Sequence, residues 1–404
     1  PEILFFWVAR MIMMGYEFHG EAPFTEVYLH GTVRDIKGRK MSKSLGNGID
    51  PLGVVDEYGA DAMRYTIISQ CAIGTDISLD HEDVESSFAA GRNFANKIWN
   101  AGRFALMSVG DAPVKTLDDV ADDLALEDRW ILSRVARATS HATDGLERFR
   151  LHEVAEGLYH HFWGEICDWY LELVKSRLGD DADPASREAA RATLVVVLDA
   201  ALRLLHPIVP FVTSELWARL PWPEGEERSD DLIIAEWPAP DDYPINADAE
   251  RRMAEVQSLV VGVRKLRKEY GVGEGARVAV HVHGGPDGFS DTLRAQAGAL
   301  EQLARIGELA EGAPTGVGAN AVLENGAEVF VPLEGVIDVE RERQRMRAEV
   351  ERIQGLVDGV QKRLANEKFV NNAPDEIVQK ERDKAAQLEE QVSKLRGKLQ
   401  GLEG

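Results

Sequence analysis

The C-terminal residues 334–404 carry the pattern that most constrains the fold. Apolar residues recur there at alternating spacings of four and three, first at Met346, Val350, Ile353, Val357, Val360 and Leu364. After a break that contains Pro374, the same spacing returns at Val378, Glu381, Ala385, Leu388, Val392, Leu395 and Leu399. Such a repeat gives each helix one apolar seam, and a proline ends a helix. The pattern predicts an antiparallel intramolecular coiled coil, with a dimerising hairpin as the alternative, although Glu381 weakens the seam.

The middle of the chain has the periodicity of amphipathic helices. Between Glu82 and Pro240, apolar residues recur every three or four positions, in the ranges Leu124–Phe149, Leu151–Leu178, Pro184–Leu205 and Val212–Leu220. Asp183 followed by Pro184 is typical of an N-cap and first helical residue. Short connections between such helices predict a helical bundle.

Residues 246–333 have a different composition. A helical pattern from Ala247 to Tyr270 precedes two strand patterns, at Arg277–Val282 and Val329–Val331, and glycine clusters separate them. These features predict a small α/β module, and the sequence gives no function for it.

The first 80 residues indicate part of a nucleotide-binding fold. The apolar stretch Ile3–Met14 contains Arg10 and is too short to span a bilayer, so a buried helix is expected. A buried strand is expected at Val27–Val33 and a helix at Pro51–Tyr58. This order suits the closing half of a doubly wound, Rossmann-like fold, in which ligands lie beyond the carboxyl ends of the strands. The fold class expected for the whole chain is therefore mixed and mainly α.

Composition limits the class of protein. The chain has 404 residues, 44% of them apolar, which is enough for two to four domains with their own cores. Its two cysteines, Cys71 and Cys167, fit a reducing compartment and provide no metal-ligand set. Together with the shortness of the apolar stretch 3–14, they predict a cytoplasmic protein without a membrane segment. The net charge of −23 argues against nucleic acid as a partner. Residues 335–404, however, carry 14 basic and 14 acidic residues, so local faces can still be positive.

The segment Gly38–Asn47 reads Gly-Arg-Lys-Met-Ser-Lys-Ser-Leu-Gly-Asn. Lys40 and Lys43 supply two ammonium groups, and Ser42 and Ser44 supply hydroxyls, a combination that suits a polyphosphate. The alternative is a solvated basic turn.

A second candidate site lies on the helical pattern near residue 100. Asn93, Lys97, Asn100 and Phe104 recur at spacings of four, three and four and therefore share one stripe of a helix. An amide, a cation and an aromatic ring on one face suit unpaired nucleic-acid bases. The alternative is a bundle helix with incidental polar residues.

Several segments together resemble the valyl-tRNA synthetases, a family of class I aminoacyl-tRNA synthetases. Gly38–Asn47 matches the second signature of that class, which is named after its Lys-Met-Ser-Lys-Ser core. Further segments of the resemblance are Ile3–Gly15, Val27–Asp35, Asp50–Leu52, Tyr58–Arg64, Asn93–Ala101 and Asn366–Val370. The residue Gly48 departs from the family, in which valine is more usual.

The resemblance implies an ATP-dependent ligase that attaches valine to its tRNA, with Mg²⁺ bound to the ATP and with a monomeric state. It implies Lys40 and Lys43 as catalytic residues, and an ATP site that adds Met41, Ser42, Ser44, His30 and Gly31. Trp7 would line the amino-acid pocket. The implied anticodon contacts are Lys97, Asn100, Arg103 and Phe104. The implied contacts of the C-terminal arm with tRNA are Arg341, Arg345, Arg352, Lys362 and Lys368.

The resemblance also predicts that the chain is the C-terminal portion of a longer synthetase. The His-x-Gly-His signature of the class does not occur in it, and there is no room for an inserted editing domain. The predicted segments are the catalytic half-domain (1–80), the anticodon-binding bundle (81–245), the α/β module (246–333) and the tRNA-binding arm (334–404). Alone, this chain is expected to be inactive in aminoacylation. The alternatives are a non-catalytic tRNA-binding module and a structural coiled-coil protein without RNA.

Overall fold

The computed structural model describes residues 3–223, 225–312, 316–366, 369–370 and 374–403. The chain divides into two compact units, residues 1–250 and residues 251–404.

The first unit begins with a helix whose apolar face is exposed. A π-helical segment, Leu4–Val8, continues into α1 (Ala9–His19). The helix was predicted, but the prediction that it is buried is wrong: Phe5 is 80% exposed. Only Val8 and Gly15 within it are buried against the rest of the unit. No helix in the described part of the chain has the length and apolar content needed to cross a bilayer.

A short parallel strand pair follows. Strand β1 (Val33–Asp35) pairs with β2 (Ile77–Leu79), and α2 (Pro51–Tyr58) and α3 (Ala60–Ser69) connect them. The strand expected at 27–33 is wrong in position, because the ladder with β2 begins only at Val33. Helix α2 has the predicted bounds, and the Asp50 side chain caps it. Apolar side chains between these elements form one core cluster: Val54, Tyr58, Ala62, Ile77, Leu79 and Phe88.

Helices make up the rest of the first unit, as the periodicity predicted. They are α4 (Val84–Val109), α5 (Leu126–Glu147), α6 (Leu151–Tyr159), α7 (Leu171–Val174), α8 (Pro184–Leu205) and α9 (Pro210–Trp217). Short 3₁₀ turns lie at Asp118–Asp123, Leu232–Ile234 and Pro240–Asp242. The predicted cap is present, since the Asp183 carboxylate accepts a hydrogen bond from the amide of Ser186.

The helix expected over residues 151–178 is present from Leu151 to Val174, but it is not α-helical throughout. Between α6 and α7 the segment His160–Tyr170 is π-helical, a conformation that is rare and often found near functional sites. It ends on the fully buried Tyr170, whose hydroxyl donates to Asp128 Oδ1 at 3.0 Å. Arg177 forms ion pairs with Glu127 and Asp128 at 2.9 and 2.7 Å. This buried network fixes the segment against α5.

The second unit contains a four-stranded mixed sheet. Its elements are α10 (Ala247–Glu269, which begins in the first unit), β3 (Val278–His283), α11 (Phe289–Ala295), α12 (Ala297–Ala304), β4 (Ile306–Glu311), β5 (Gly318–Val322) and β6 (Glu328–Pro332). The strand order is β4-β3-β6-β5, with β3 and β4 parallel and the other pairs antiparallel. Strands β3 and β6 match the predicted patterns. Gly318 allows close packing in β5, because a Cβ there would lie 2.2 Å from Phe330 Cζ.

Two long helices complete the second unit. Helix α13 (Val339–Leu364) runs antiparallel to α14 (Asp375–Glu403), as shown by hydrogen bonds from Gln361 to Glu389 and from Arg396 to Gln354. The predicted seam is present, with buried Ile353, Val357 and Val392 at its centre. Glu381 is accommodated in the seam by an ion pair with Arg363 at 3.2 Å.

Candidate functional site

The lysine-containing segment forms a loop that follows β1. Its first part folds back on the strand, since the Met41 amide donates to the Val33 carbonyl at 3.1 Å. Gly38 and Gly46 have φ values of 74° and 64°, which are readily available only to glycine. Between them Ser42 caps a short 3₁₀ turn, and its hydroxyl accepts from the Leu45 amide at 3.3 Å. The loop therefore has a defined backbone path.

A buried pair of polar residues supports the base of this loop. Asp35 and Asn47 are each only 1% exposed. Asn47 Nδ2 donates to Asp35 Oδ2 at 3.0 Å and to the Lys40 carbonyl at 3.3 Å, and Asn47 Oδ1 accepts from the Ser42 amide at 3.0 Å. Asn47 thereby joins the end of β1 to the two sides of the loop.

Arg39 completes the support. Its Nε donates to Asp35 Oδ2 at 2.8 Å, and its backbone amide donates to Asp35 Oδ1 at 2.9 Å. The hydrogen bond from Asn47, followed by those from Arg39, holds the pKa of Asp35 well below its usual range. Asp35 is consequently a fixed negative charge at neutral pH. Neither Asp35 nor Asn47 was identified as a site residue from the sequence, and the only signal was their polar character at the two ends of the lysine segment.

The structure brings the predicted phosphate-binding residues together above this support. Lys40, Lys43 and Ser44 are exposed, whereas Met41 and Ser42 are partly buried. The hydroxyls of Ser42 and Ser44 lie 3.2 Å apart. Below the loop is a cavity of about 320 Å³ with mainly apolar walls, to which Met41 contributes. Two ammonium groups and two hydroxyls are thus presented on one supported loop after the carboxyl end of β1.

Three other predicted site residues do not line that cavity. Trp7 is 59% exposed on the π-helical segment near the start of the chain. His30 is exposed, and its Nδ1 lies 2.7 Å from the carbonyl of Gly31. Gly31 itself is buried, and a Cβ there would lie 1.9 Å from the carbonyl oxygen of Thr75. Close backbone packing therefore leaves no room for a side chain at position 31.

The second candidate face lies on α4 and on the helical segment that follows α6. Asn100 and Arg103 are exposed on α4. Lys97 pairs with Asp168 at 3.1 Å, and its Nζ lies 4.9 Å from the centroid of the Trp163 ring. Phe104 is covered by Lys175, whose Nζ is 5.4 Å from the ring centroid. The predicted stripe is present, but two of its residues already contact the neighbouring helix.

The third candidate site is the helix pair of the second unit. Arg345 and Arg352 each pair with a glutamate three residues earlier, at 2.5 and 2.7 Å. The Arg352–Glu349 pair is exposed on both sides and is therefore weak, whereas the Glu342 side chain is only 14% exposed. Arg341 and Lys362 are exposed, and Lys368 lies outside the described residues.

Three family models match the chain. Residues 1–80 match "tRNA synthetases class I (I, L, M and V)", residues 128–282 match "Anticodon-binding domain of tRNA ligase", and residues 338–403 match "Valyl tRNA synthetase tRNA binding arm". These three ranges contain the loop, much of the bundle and the helix pair.

Curated relatives agree with the family models. The valine–tRNA ligase of Thermotoga maritima is 41% identical over 403 residues, which cover 100% of this chain and 44% of that protein. The valine–tRNA ligase of Bacillus subtilis is 38% identical over 385 residues, 95% of this chain and 42% of that protein. The valine–tRNA ligase of Geobacter sulfurreducens is 40% identical, with 99% and 44% covered. The chain thus spans less than half the length of these relatives. On this evidence it belongs to the valine–tRNA ligase family of class I aminoacyl-tRNA synthetases and corresponds to part of its members' length.

Proposed function

We propose that this chain acts as part of an ATP-dependent valine–tRNA ligase, to which it supplies the lysine loop and the surfaces that bind tRNA. The observation that carries the proposal is the pair of exposed lysines, Lys40 and Lys43, on a loop fixed by the buried Asp35 and Asn47. In the complete reaction, valine and ATP give valyl-adenylate and pyrophosphate. The valyl group then passes to the 3′ end of the tRNA, and AMP is released.

The lysines act on the first step. Negative charge grows on the pyrophosphate as it departs, so ammonium groups placed beside it bind the transition state more tightly than the ground state. One preorganised donor of this kind lowers the barrier by roughly 3 kcal/mol. Lys43 and Lys40 fill this role, and the hydroxyls of Ser42 and Ser44 supply further donors to the phosphates. Because Gly38 and Gly46 border the loop, it can move onto a bound nucleotide while Asn47 holds its base.

Magnesium enters with the nucleotide. Asp35, the buried carboxylate beneath the loop, is already engaged by Asn47 and Arg39 and is not available as a ligand. Among the described residues, no group of three histidine, cysteine or acidic side chains is arranged to hold a metal ion. In this proposal the phosphates of ATP carry Mg²⁺, which neutralises part of their charge.

The remaining ATP-site and pocket residues have supporting roles in this proposal. Met41 packs into the cavity below and anchors the loop. His30 and Gly31 approach the nucleotide from the segment before β1, and Trp7 lines the pocket for the valine side chain. The exposed position of Trp7 is compatible with contact to a substrate or to further protein.

The tRNA is held at two places. Lys97, Asn100, Arg103 and Phe104 contact unpaired anticodon bases, and the arm residues Arg341, Arg345, Arg352, Lys362 and Lys368 contact phosphates. This division follows the general rule that base contacts specify and phosphate contacts position. The working form is a cytoplasmic monomer.

Binding and exchange assays on the purified chain test the proposal. We expect the chain to bind valine tRNA weakly and in preference to a tRNA for another amino acid, and to catalyse no valine-dependent exchange of pyrophosphate into ATP. Equal affinity for both tRNAs would contradict the proposed tRNA specificity, and robust exchange would contradict the expectation that this chain alone is inactive. A non-catalytic tRNA-binding module remains the second candidate, and it is distinguished by the catalytic assay described at the end of the Discussion.

A further inference from the structure

Two lysine–aromatic contacts cross between α4 and the segment 160–178, which comprises the π-helical stretch, α7 and the turn that follows α7. Lys97 on α4 lies over the ring of Trp163, and Lys175 lies over the ring of Phe104, which is on α4. Each ring therefore receives its cation from the opposite segment. A cation over an aromatic face is attracted by the ring quadrupole, but at exposed sites the interaction is weak. In the free chain, both rings are therefore covered by lysine ammonium groups that are held only weakly.

Carboxylates on the segment 160–178 restrain both lysines. Lys97 pairs with Asp168 at 3.1 Å and Lys175 pairs with Glu172 at 2.5 Å. The Asp168 side chain is 52% exposed and the Glu172 side chain 41% exposed, so solvent screens both pairs. The acidic groups keep the ammonium groups on the rings without burying them.

The chemistry of this face fits unpaired nucleic-acid bases. Every base has a π face that stacks on an aromatic ring, and a lysine displaced from that ring can move to the adjacent phosphate. The exposed Asn100 and Arg103 on the same side of α4 add an amide and a guanidinium that can reach base edges. A duplex would not use the rings, since its bases are already stacked.

We propose that the RNA-binding face extends from α4 onto the segment 160–178, with Trp163 as a second stacking platform and Lys175 as a further phosphate contact. In the free chain Lys97 and Lys175 occupy the two rings, and an incoming base displaces them. Asp168 and Glu172 oppose this displacement and repel phosphate. The inference rests on the proposed function of the chain as a tRNA-binding protein.

The test measures the affinity of the full 404-residue chain for a labelled RNA hairpin. The probe is the anticodon stem and seven-nucleotide loop of a valine tRNA, and a fully paired duplex of equal length is the reference. Fluorescence anisotropy at fixed ionic strength gives the dissociation constants. Trp163→Leu should weaken hairpin binding roughly tenfold, as expected for one lost stacked base. Trp163→Phe should restore it, and Trp237→Leu, at a tryptophan that is 37% exposed elsewhere, should have no effect.

The carboxylate variants give a gain that unfolding cannot mimic. Asp168→Asn and Glu172→Gln should each tighten hairpin binding about threefold, the effect of one charge at roughly 7 Å from a phosphate in water. The charge-matched controls are Asp122→Asn and Glu147→Gln, both at exposed positions outside α4 and the segment 160–178, and they should give less than half of that gain.

Two outcomes separate this inference from the proposed function. If the unaltered chain binds the hairpin but Trp163→Leu binds equally well, or Asp168→Asn gains no more than Asp122→Asn, the extended face is wrong and the proposed function stands. If the unaltered chain does not prefer the hairpin to the duplex, both are wrong.

Discussion

The most informative single substitution in the lysine loop is Asn47→Ala. It removes the three hydrogen bonds through which the Asn47 amide links Asp35, the Lys40 carbonyl and the Ser42 amide. Alanine fits the space but offers neither a donor nor an acceptor. The loop should therefore lose its attachment to the end of β1 while the rest of the unit stays folded.

The size of the effect follows from the number of bonds. A hydrogen bond within a protein contributes about 0.5–1.5 kcal/mol net, so three of them give roughly 2–4 kcal/mol of local stability. Because about 1.4 kcal/mol corresponds to a factor of ten, the local opening equilibrium should rise roughly 30- to 1000-fold.

Native-state hydrogen exchange measures that equilibrium at the Met41 amide, which donates to the Val33 carbonyl and keeps this acceptor in the variant. In Asn47→Ala this amide should exchange faster by the stated factor, and amides of the α8 core should be unchanged. Asn93→Ala, at an exposed position on α4, is the matched control. Unchanged exchange at Met41 would refute the claim that Asn47 holds the loop.

Three further predictions concern the loop and its surroundings. Because the pKa of Asp35 is lowered in the folded chain, the contribution of its carboxylate to stability is complete above pH ~4 and is lost as pH falls through the folded-state pKa. The difference in unfolding free energy between the unaltered chain and Asp35→Asn, measured by denaturant titration, should therefore shrink below pH ~4. A difference that grows with acid would contradict this. Gly31→Ala should destabilise the first unit by about 1–3 kcal/mol, because the added Cβ would meet the Thr75 carbonyl. Gly48→Ala, where the structure leaves open space, should change the unfolding midpoint little, and equal effects of the two substitutions would contradict the packing argument. Tyr170→Phe should lower the unfolding free energy, measured by chemical denaturation, by about 1 kcal/mol. The loss is limited to one hydrogen bond, because Asp128 keeps its ion pair with Arg177. Tyr16→Phe, at an exposed tyrosine, is the control and should cause no change.

Local patterns in the sequence located the elements whose signal is contiguous. The lysine segment could be recognised because its charges, hydroxyls and glycines occur within ten residues. The start of α8 followed from a cap residue and a proline, and the start of α2 from a proline. The seam between α13 and α14 followed from its spacing alone.

Features that depend on tertiary contacts could not be predicted in the same way. Asp35 and Asn47 are twelve residues apart, and their pairing depends on how the loop returns to β1. The lysine–aromatic contacts join residues 97 and 163, and residues 104 and 175, on different helices. The exposed apolar face of α1 was misjudged because apolar content alone does not show what covers a helix.

The direct test of the central claim is catalytic. In a hybrid enzyme, this chain replaces the matching 44% of the Thermotoga maritima relative, and valine-dependent exchange of pyrophosphate into ATP is measured. An active hybrid should lose exchange roughly 100-fold or more with Lys43→Ala, and similarly with Lys40→Ala. Lys37→Ala, at an exposed lysine paired with Glu82, should leave exchange almost unchanged. If Lys43→Ala and Lys40→Ala exchange as fast as the unaltered hybrid, the two ammonium groups do not act on the nucleotide phosphates.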